Sequence, residues 1–187
     1  MDTPIPAYDP HRFRQAAARY ARHRLDYPPR LVGRVVQMAG LTPGDAVLDL
    51  GCGTGFLALA LAKAGMTVTA ADPEPAMLEA AGSAARAAGL EITLWQGGSY
   101  ELTPAMGPYR LVTMGRSFHW MDRAATLAML DRIVTPDGAI ALFHDRHPDV
   151  EENRWFKLLC EDCTAHQRRD RPRPRRGLSR RRRPSPL

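Results

Sequence analysis

Cysteine is scarce. The three in 187 residues, Cys52, Cys160 and Cys163, are too few and of the wrong parity for a disulfide framework. That excludes the small disulfide-stapled class and points to a reducing compartment, the cytoplasm. Long apolar runs are missing too: none approaches the ~20 residues of a bilayer-spanning helix. The opening Met1-Asp2-Thr3-Pro4 lacks the basic-then-apolar order of a secretory signal, so none is expected. Cys160-Glu161-Asp162-Cys163 with His166 supplies one cluster of ligand types but no second pair, which a structural zinc normally uses, so no metal is expected. Nor is the body of the chain basic. The net charge is +6, but residues 168–187 hold ten arginines against one acid, Asp170, a local +9 that leaves about −3 for residues 1–167. Nucleic-acid binding is therefore expected only through this tail, if at all.

What is present is a strand that ends in an acid and a glycine-rich turn, Val47-Leu48-Asp49-Leu50-Gly51-Cys52-Gly53-Thr54-Gly55, running directly into the apolar stretch Phe56–Ala64. Such a strand–turn–helix leaves free backbone N–H groups and a positive helix end facing a ligand. The glycines admit a close approach of backbone to that ligand. A dinucleotide fingerprint reads G-x-G-x-x-G with a ribose-binding acid about 20 residues on. Here the third glycine, Gly55, comes one residue early, and Asp49 stands two residues before Gly51. A carboxylate at that position repels a pyrophosphate and attracts an amine or a cation. The apolar stretch Thr67–Ala71 then ends at Asp72, placed to accept hydrogen bonds from ribose hydroxyls. An amine-bearing ligand with an unphosphorylated ribose indicates S-adenosylmethionine.

Strand and helix patterns alternate along the rest of the chain. Asp9–Arg24 and Arg30–Ala39 carry apolar residues at helical spacing, with Pro28-Pro29 between them, and Thr42-Pro43-Gly44-Asp45 is turn chemistry. Strands are expected at Ala46–Leu50, Thr67–Ala71, Leu90–Leu94, Leu111–Met114 and Ala139–Phe143, the last preceded by a turn at Pro136-Asp137-Gly138. Helices are expected at Thr54–Ala64, from Pro75 to Ala88, at Ala124–Val134 and at Glu151–Ala165. The alternation predicts an α/β, Rossmann-like doubly wound sheet of about five mostly parallel strands, with ligands at the carboxyl ends of the strands. The predicted organisation is a helical cap over 1–45, a cofactor-binding domain over 46–166 and a disordered Arg/Pro-rich tail over 167–187.

The D-x-G-x-G-x-G pattern resembles the first motif of the class I S-adenosylmethionine-dependent methyltransferases. Within them the chain looks most similar to the small-molecule group related to ubiquinone-biosynthesis enzymes, methyltransferase type 11, over roughly residues 20–143. Arg24-Leu25-Asp26-Tyr27-Pro28 resembles an arginine-proline-x-tyrosine-proline element that closes over the cofactor in relatives, with Leu25 in place of the proline. The resemblance implies cofactor contacts from Asp49, Gly51, Cys52, Gly53, Gly55, Asp72, Pro73 and Arg24, and adenine contacts from Met77, Ser99 and Tyr100. Gly98 stands where relatives often place an acid. Met114-Gly115-Arg116-Ser117-Phe118-His119-Trp120-Met121-Asp122 resembles a histidine–tryptophan element facing the methyl donor; the resemblance implies Ser117, Trp120 and, from the upstream element, Tyr27 on the acceptor side and His119 as a proton acceptor. Arg110 stands where relatives usually open the fourth strand with an acid.

The implied function is methyl transfer to a small-molecule acceptor; the competing readings are an NAD-type oxidoreductase and a non-enzymatic nucleic-acid-binding protein acting through its arginines. Relatives continue past the fifth strand with a helix and two more strands, one antiparallel. Here an abrupt Arg/Pro-rich run, with almost nothing to bury, stands where those strands are due. It reads either as a functional basic tail or as the product of a shifted frame in a GC-rich gene, and the abruptness favours the shift. The expected sheet therefore lacks the usual C-terminal strand pair.

Overall fold

The computed structural model describes residues 26–144. The predicted helices at Asp9–Arg24 and Glu151–Ala165, Arg24 itself, the Cys160–His166 cluster and the arginine tail lie outside the described residues. Helix α1 (Pro29–Met38) begins with Pro29 in its first turn, where a backbone N–H has no helical partner to lose. Strand β1 (Ala46–Leu50), helix α2 (Phe56–Lys63), strand β2 (Thr67–Asp72) and helix α3 (Pro75–Ala87) follow as the alternation predicts. Glu74 caps α3, its carboxylate accepting from the Ala76 N–H at 3.3 Å. After strand β3 (Thr93–Gln96) come strand β4 (Tyr109–Gly115), helix α4 (Arg123–Ile133), capped by Asp122, and strand β5 (Val134–Phe143).

The five strands form one parallel sheet in the order β3-β2-β1-β4-β5. The chain winds outward from β1 to β3, then returns to β4 and winds the other way, so β1 and β4 flank the switch point. Pleating splits the apolar residues into two cores. Val47, Val68, Ala70 and Leu111 pack with Leu57, Ala58 and Leu61 of α2 and with Val32 of α1. Leu48, Leu50, Val112 and Met114 point the other way, onto Leu130 and Ile133 of α4. Burial of the central strands β1, β2 and β4 on both faces accounts for the nearly continuous apolar runs that revealed them.

Two details depart from the sequence pattern. The third strand is not Leu90–Leu94: the Leu90 N–H is spent closing α3 on the Ala85 carbonyl (3.0 Å), and pairing with β2 begins only at Thr93. The turn at Pro136-Asp137-Gly138 does not precede the fifth strand but lies within it. Tyr109 pairs with Val134 and Leu111 with Ala139, so Arg110 alone faces residues 135–138, which loop out. Arg110 forms an ion pair with the Asp137 carboxylate, and its Nη1 also donates to the Asp137 carbonyl at 3.3 Å. That is the use the structure makes of a base at the start of β4.

Gly55, the N-cap of α2, has φ 87°, and a Cβ there would lie 2.8 Å from Leu59 Cδ1 and 2.9 Å from Ala81 Cβ on α3. Gly55→Ala is therefore expected to combine left-handed backbone strain with a clash between two helices. A loss of about 2 kcal/mol or more is expected, read as a lowered melting temperature by circular dichroism.

Candidate active site

The carboxyl ends of β1 and β4 frame a cleft lined by Tyr27, Asp49, Gly51, Cys52, Gly53, Phe56, Leu57, Gly115 and Arg116. Its floor is the β1–α2 turn. Gly51 (φ 72°) and Gly53 (φ 56°) both take the left-handed conformation. A Cβ on Gly51 would lie 2.5 Å from Ser117 Cβ, so this position also admits no side chain. The turn is tied to β2 by the Gly51 and Cys52 N–H groups, which donate to the Ala71 carbonyl at 2.8 and 2.9 Å. It is tied to β4 by Ser117, buried, whose Oγ donates to the Leu50 carbonyl at 2.8 Å.

Asp49 is the fourth residue of an otherwise apolar β1 and is only 1% exposed. Its position in the pleat, two residues from Val47, brings it under the start of α2. Thr113, its register partner on β4, donates to Oδ1 at 2.9 Å. Oδ2 has no well-formed hydrogen bond, although the Ala58 backbone N–H lies toward the carboxyl. Burial lifts the pKa of Asp49 to about 7, against the pull of Thr113 and Ala58; the charge of Asp72 adds to the rise. Asp72, 8% exposed, accepts from the Gly53 N–H through Oδ2 (2.8 Å) and from the Glu74 N–H through Oδ1 (2.9 Å). Burial raises its pKa as well, and the two amides oppose the rise. Between these acids the Cys52 thiol is pushed upward, chiefly by burial, and stays protonated.

Of the residues singled out in the sequence, the cleft brings together Tyr27, Asp49, Gly51, Cys52 and Gly53, with Asp72 bonded to the floor from below. Tyr27 packs edge-on against Phe143 at 5.2 Å. Met77 is buried in α3, whereas Ser99 is half-buried and Tyr100 is 63% exposed beyond β3. His119 and Trp120 share one exposed 3₁₀ turn (Phe118–Trp120) after β4, their rings 4.7 Å apart, outside the cleft lining. Burial, then the positive influence of His144 and Arg123, holds the His119 pKa below its ordinary value. Gly115 and Arg116 lie inside the histidine–tryptophan element but received no role from the sequence, and Glu74 was not singled out at all. The first two directly follow the core of β4 at the switch point, where position alone marks them. Glu74 is buried with Oε2 unpartnered.

The unfolded chain titrates Asp49 near 3.8, and the native state near 7. Between those values the native protein holds a proton that the unfolded chain has released, so this acid lowers stability as pH rises from about 4 to about 7. Asp49→Asn removes the titration and keeps an acceptor for Thr113. The melting temperature of the variant minus that of the parent is expected to climb over that interval and level above about pH 7. Thermal unfolding across the range checks this; a flat difference contradicts it.

A methyltransferase domain family matches residues 47–138. An uncharacterized methyltransferase of Mycobacterium tuberculosis is 32% identical over 149 residues, 80% of this chain and 57% of that protein. The chain thus spans little more than half of such a relative's length. Among solved structures, a putative S-adenosylmethionine-dependent methyltransferase of Methanococcus maripaludis superposes with a TM-score of 0.62 at 22% identity, over 91% of this chain and 80% of that one. The magnesium protoporphyrin IX methyltransferase of Synechocystis, solved with S-adenosylmethionine bound, gives 0.56 at 22% identity, over 69% and 74%. S-adenosylmethionine is the cofactor of this family, and a buried acid beneath a turn that excludes side chains fits the ammonium of its amino-acid end. Sheet order, glycine turn and matched family together place the described domain in the class I S-adenosylmethionine-dependent methyltransferases.

Proposed function

We propose that this domain binds S-adenosylmethionine at the carboxyl ends of β1, β2 and β4 and transfers its methyl group to a small-molecule acceptor. The observation that carries the reading is Asp49, a carboxylate at 1% exposure with one oxygen lacking a well-formed hydrogen bond, below a left-handed glycine turn. A cation relieves such a group and a pyrophosphate aggravates it, which favours a sulfonium–ammonium ligand over NAD. The cofactor, when bound, supplies a methyl group already activated on sulfur. The chain then has to bind, orient and exclude water.

In this reading Asp72 receives the ribose hydroxyls. Each of its oxygens holds one backbone N–H and keeps lone-pair capacity for another donor. Pro73, Ser99 and Tyr100 flank the adenine end, with Met77 packed beneath. Cys52 and Gly55 shape the turn, Arg24 is a further cofactor contact by its resemblance to relatives, and Tyr27 lies on the acceptor side. Ser117 and Trp120 border the acceptor. His119, kept neutral by its lowered pKa, accepts a proton where the acceptor must lose one.

Isothermal titration is expected to show binding of S-adenosylmethionine and none of NAD. Asp72→Ala should weaken the former by roughly 1.5–3 kcal/mol, the range for hydrogen bonds to a charged group. A folded Asp72→Ala protein with unaltered affinity rules the ribose role out. For the transfer itself, labelled cofactor and a panel of small hydroxyl, amine and carbon-acid acceptors supply the assay. His119→Gln should cut turnover by about 10²-fold or more while cofactor affinity holds. Normal turnover and normal stability in that variant would remove His119 from the mechanism, and labelling of protein substrates alone would remove the small acceptor.

A further inference from the structure

Among the described residues Arg116 is the one non-glycine in the left-handed conformation, at φ 61°. A side chain there is strained, and such strain is characteristically kept where a side chain must be aimed. The backbone is fixed from behind, since the Arg116 N–H donates to the Phe143 carbonyl at 3.0 Å as the last rung between β4 and β5. Its guanidinium carbon lies 5.0 Å from the centre of the Tyr27 ring, so a cation rests on an aromatic face that is itself braced edge-on by Phe143. Gly115, just before it, makes room: a Cβ there would run into the Tyr27 hydroxyl. Glycine, strained arginine and tyrosine thus form one wall of the cleft whose floor contains Asp49.

A fixed cation on the wall and a buried acid in the floor of one cleft are complementary to a zwitterion. We propose that Arg116 binds the carboxylate of the cofactor's amino-acid end while the ammonium is turned toward Asp49. The planar fork of arginine suits a carboxylate, and stacking on Tyr27 holds its plane. The assignment rests on the reading of the cleft as an S-adenosylmethionine site. It makes Arg116 a binding residue that selects for an intact amino acid.

The test pairs S-adenosylmethionine with its decarboxylated analogue, which keeps sulfonium, amine, ribose and adenine. By titration, the parent protein should prefer the intact cofactor by about tenfold or more, the size of a charge-assisted hydrogen-bond pair. Arg116→Asn, chosen because asparagine tolerates a positive φ, should lose that preference by weakening the intact cofactor alone. The analogue should bind variant and parent equally, and that equality also reports a folded cleft. Arg116→Lys should recover part of the preference. A parent without the preference overturns the assignment whatever the variants do, as does a variant that weakens both ligands alike. A parent that binds neither ligand defeats the cofactor reading itself, and the assignment with it.

Discussion

The carboxylate of Asp72 joins two turns that the rest of the site is built on. Through Oδ2 it holds the Gly53 amide of the β1–α2 turn, and through Oδ1 the Glu74 amide at the start of α3. Neither amide has a partner within its own turn, since one belongs to a left-handed glycine loop and the other to a helix N-cap. One buried acid at the end of β2 therefore sets the height of the glycine turn against the neighbouring strand. The parallel register of β1 and β2, Leu50 opposite Ala71, brings the two turns to the same edge of the sheet where one side chain can reach both.

Asp49 complements this from the other side of β1. Hydrophobic residues before and after it pull the strand into the core, and the acid is carried in with them. The cost of that burial is visible in its pKa of about 7, and Thr113 across the ladder offsets only part of it. The domain thus holds two raised carboxyls within one cleft region, an arrangement more typical of a binding site than of a structural core.

The parts of this molecule set by local chemistry were legible. Proline and glycine punctuation, the V-L-D-L strand and the G-x-G-x-G turn led directly to a parallel, doubly wound sheet and singled out Asp49 and Asp72, while the strand order came only from the structure. Reading failed where an apolar pattern ran across a boundary, as at Leu90, whose amide closes a helix instead of opening a strand. It also failed where a turn signal sat inside a pairing, as at Pro136. Arg116 was hidden for a different reason. Its role depends on a positive φ and on Tyr27, some ninety positions away in the chain, and neither the angle nor the neighbour is encoded within a window of sequence.

The out-looped residues 135–138 leave β5 at the amino end of the β4–β5 ladder, while the cleft lies at its carboxyl end. Pro136 and Asp137 are exposed, and the strand resumes its register at Ala139 as though the loop were absent. Extra length there falls outside the ladder and on the far side of the sheet from the chemistry. This makes the loop a natural point of entry for an inserted epitope, fluorophore or surface tether, leaving the other end of the sheet undisturbed.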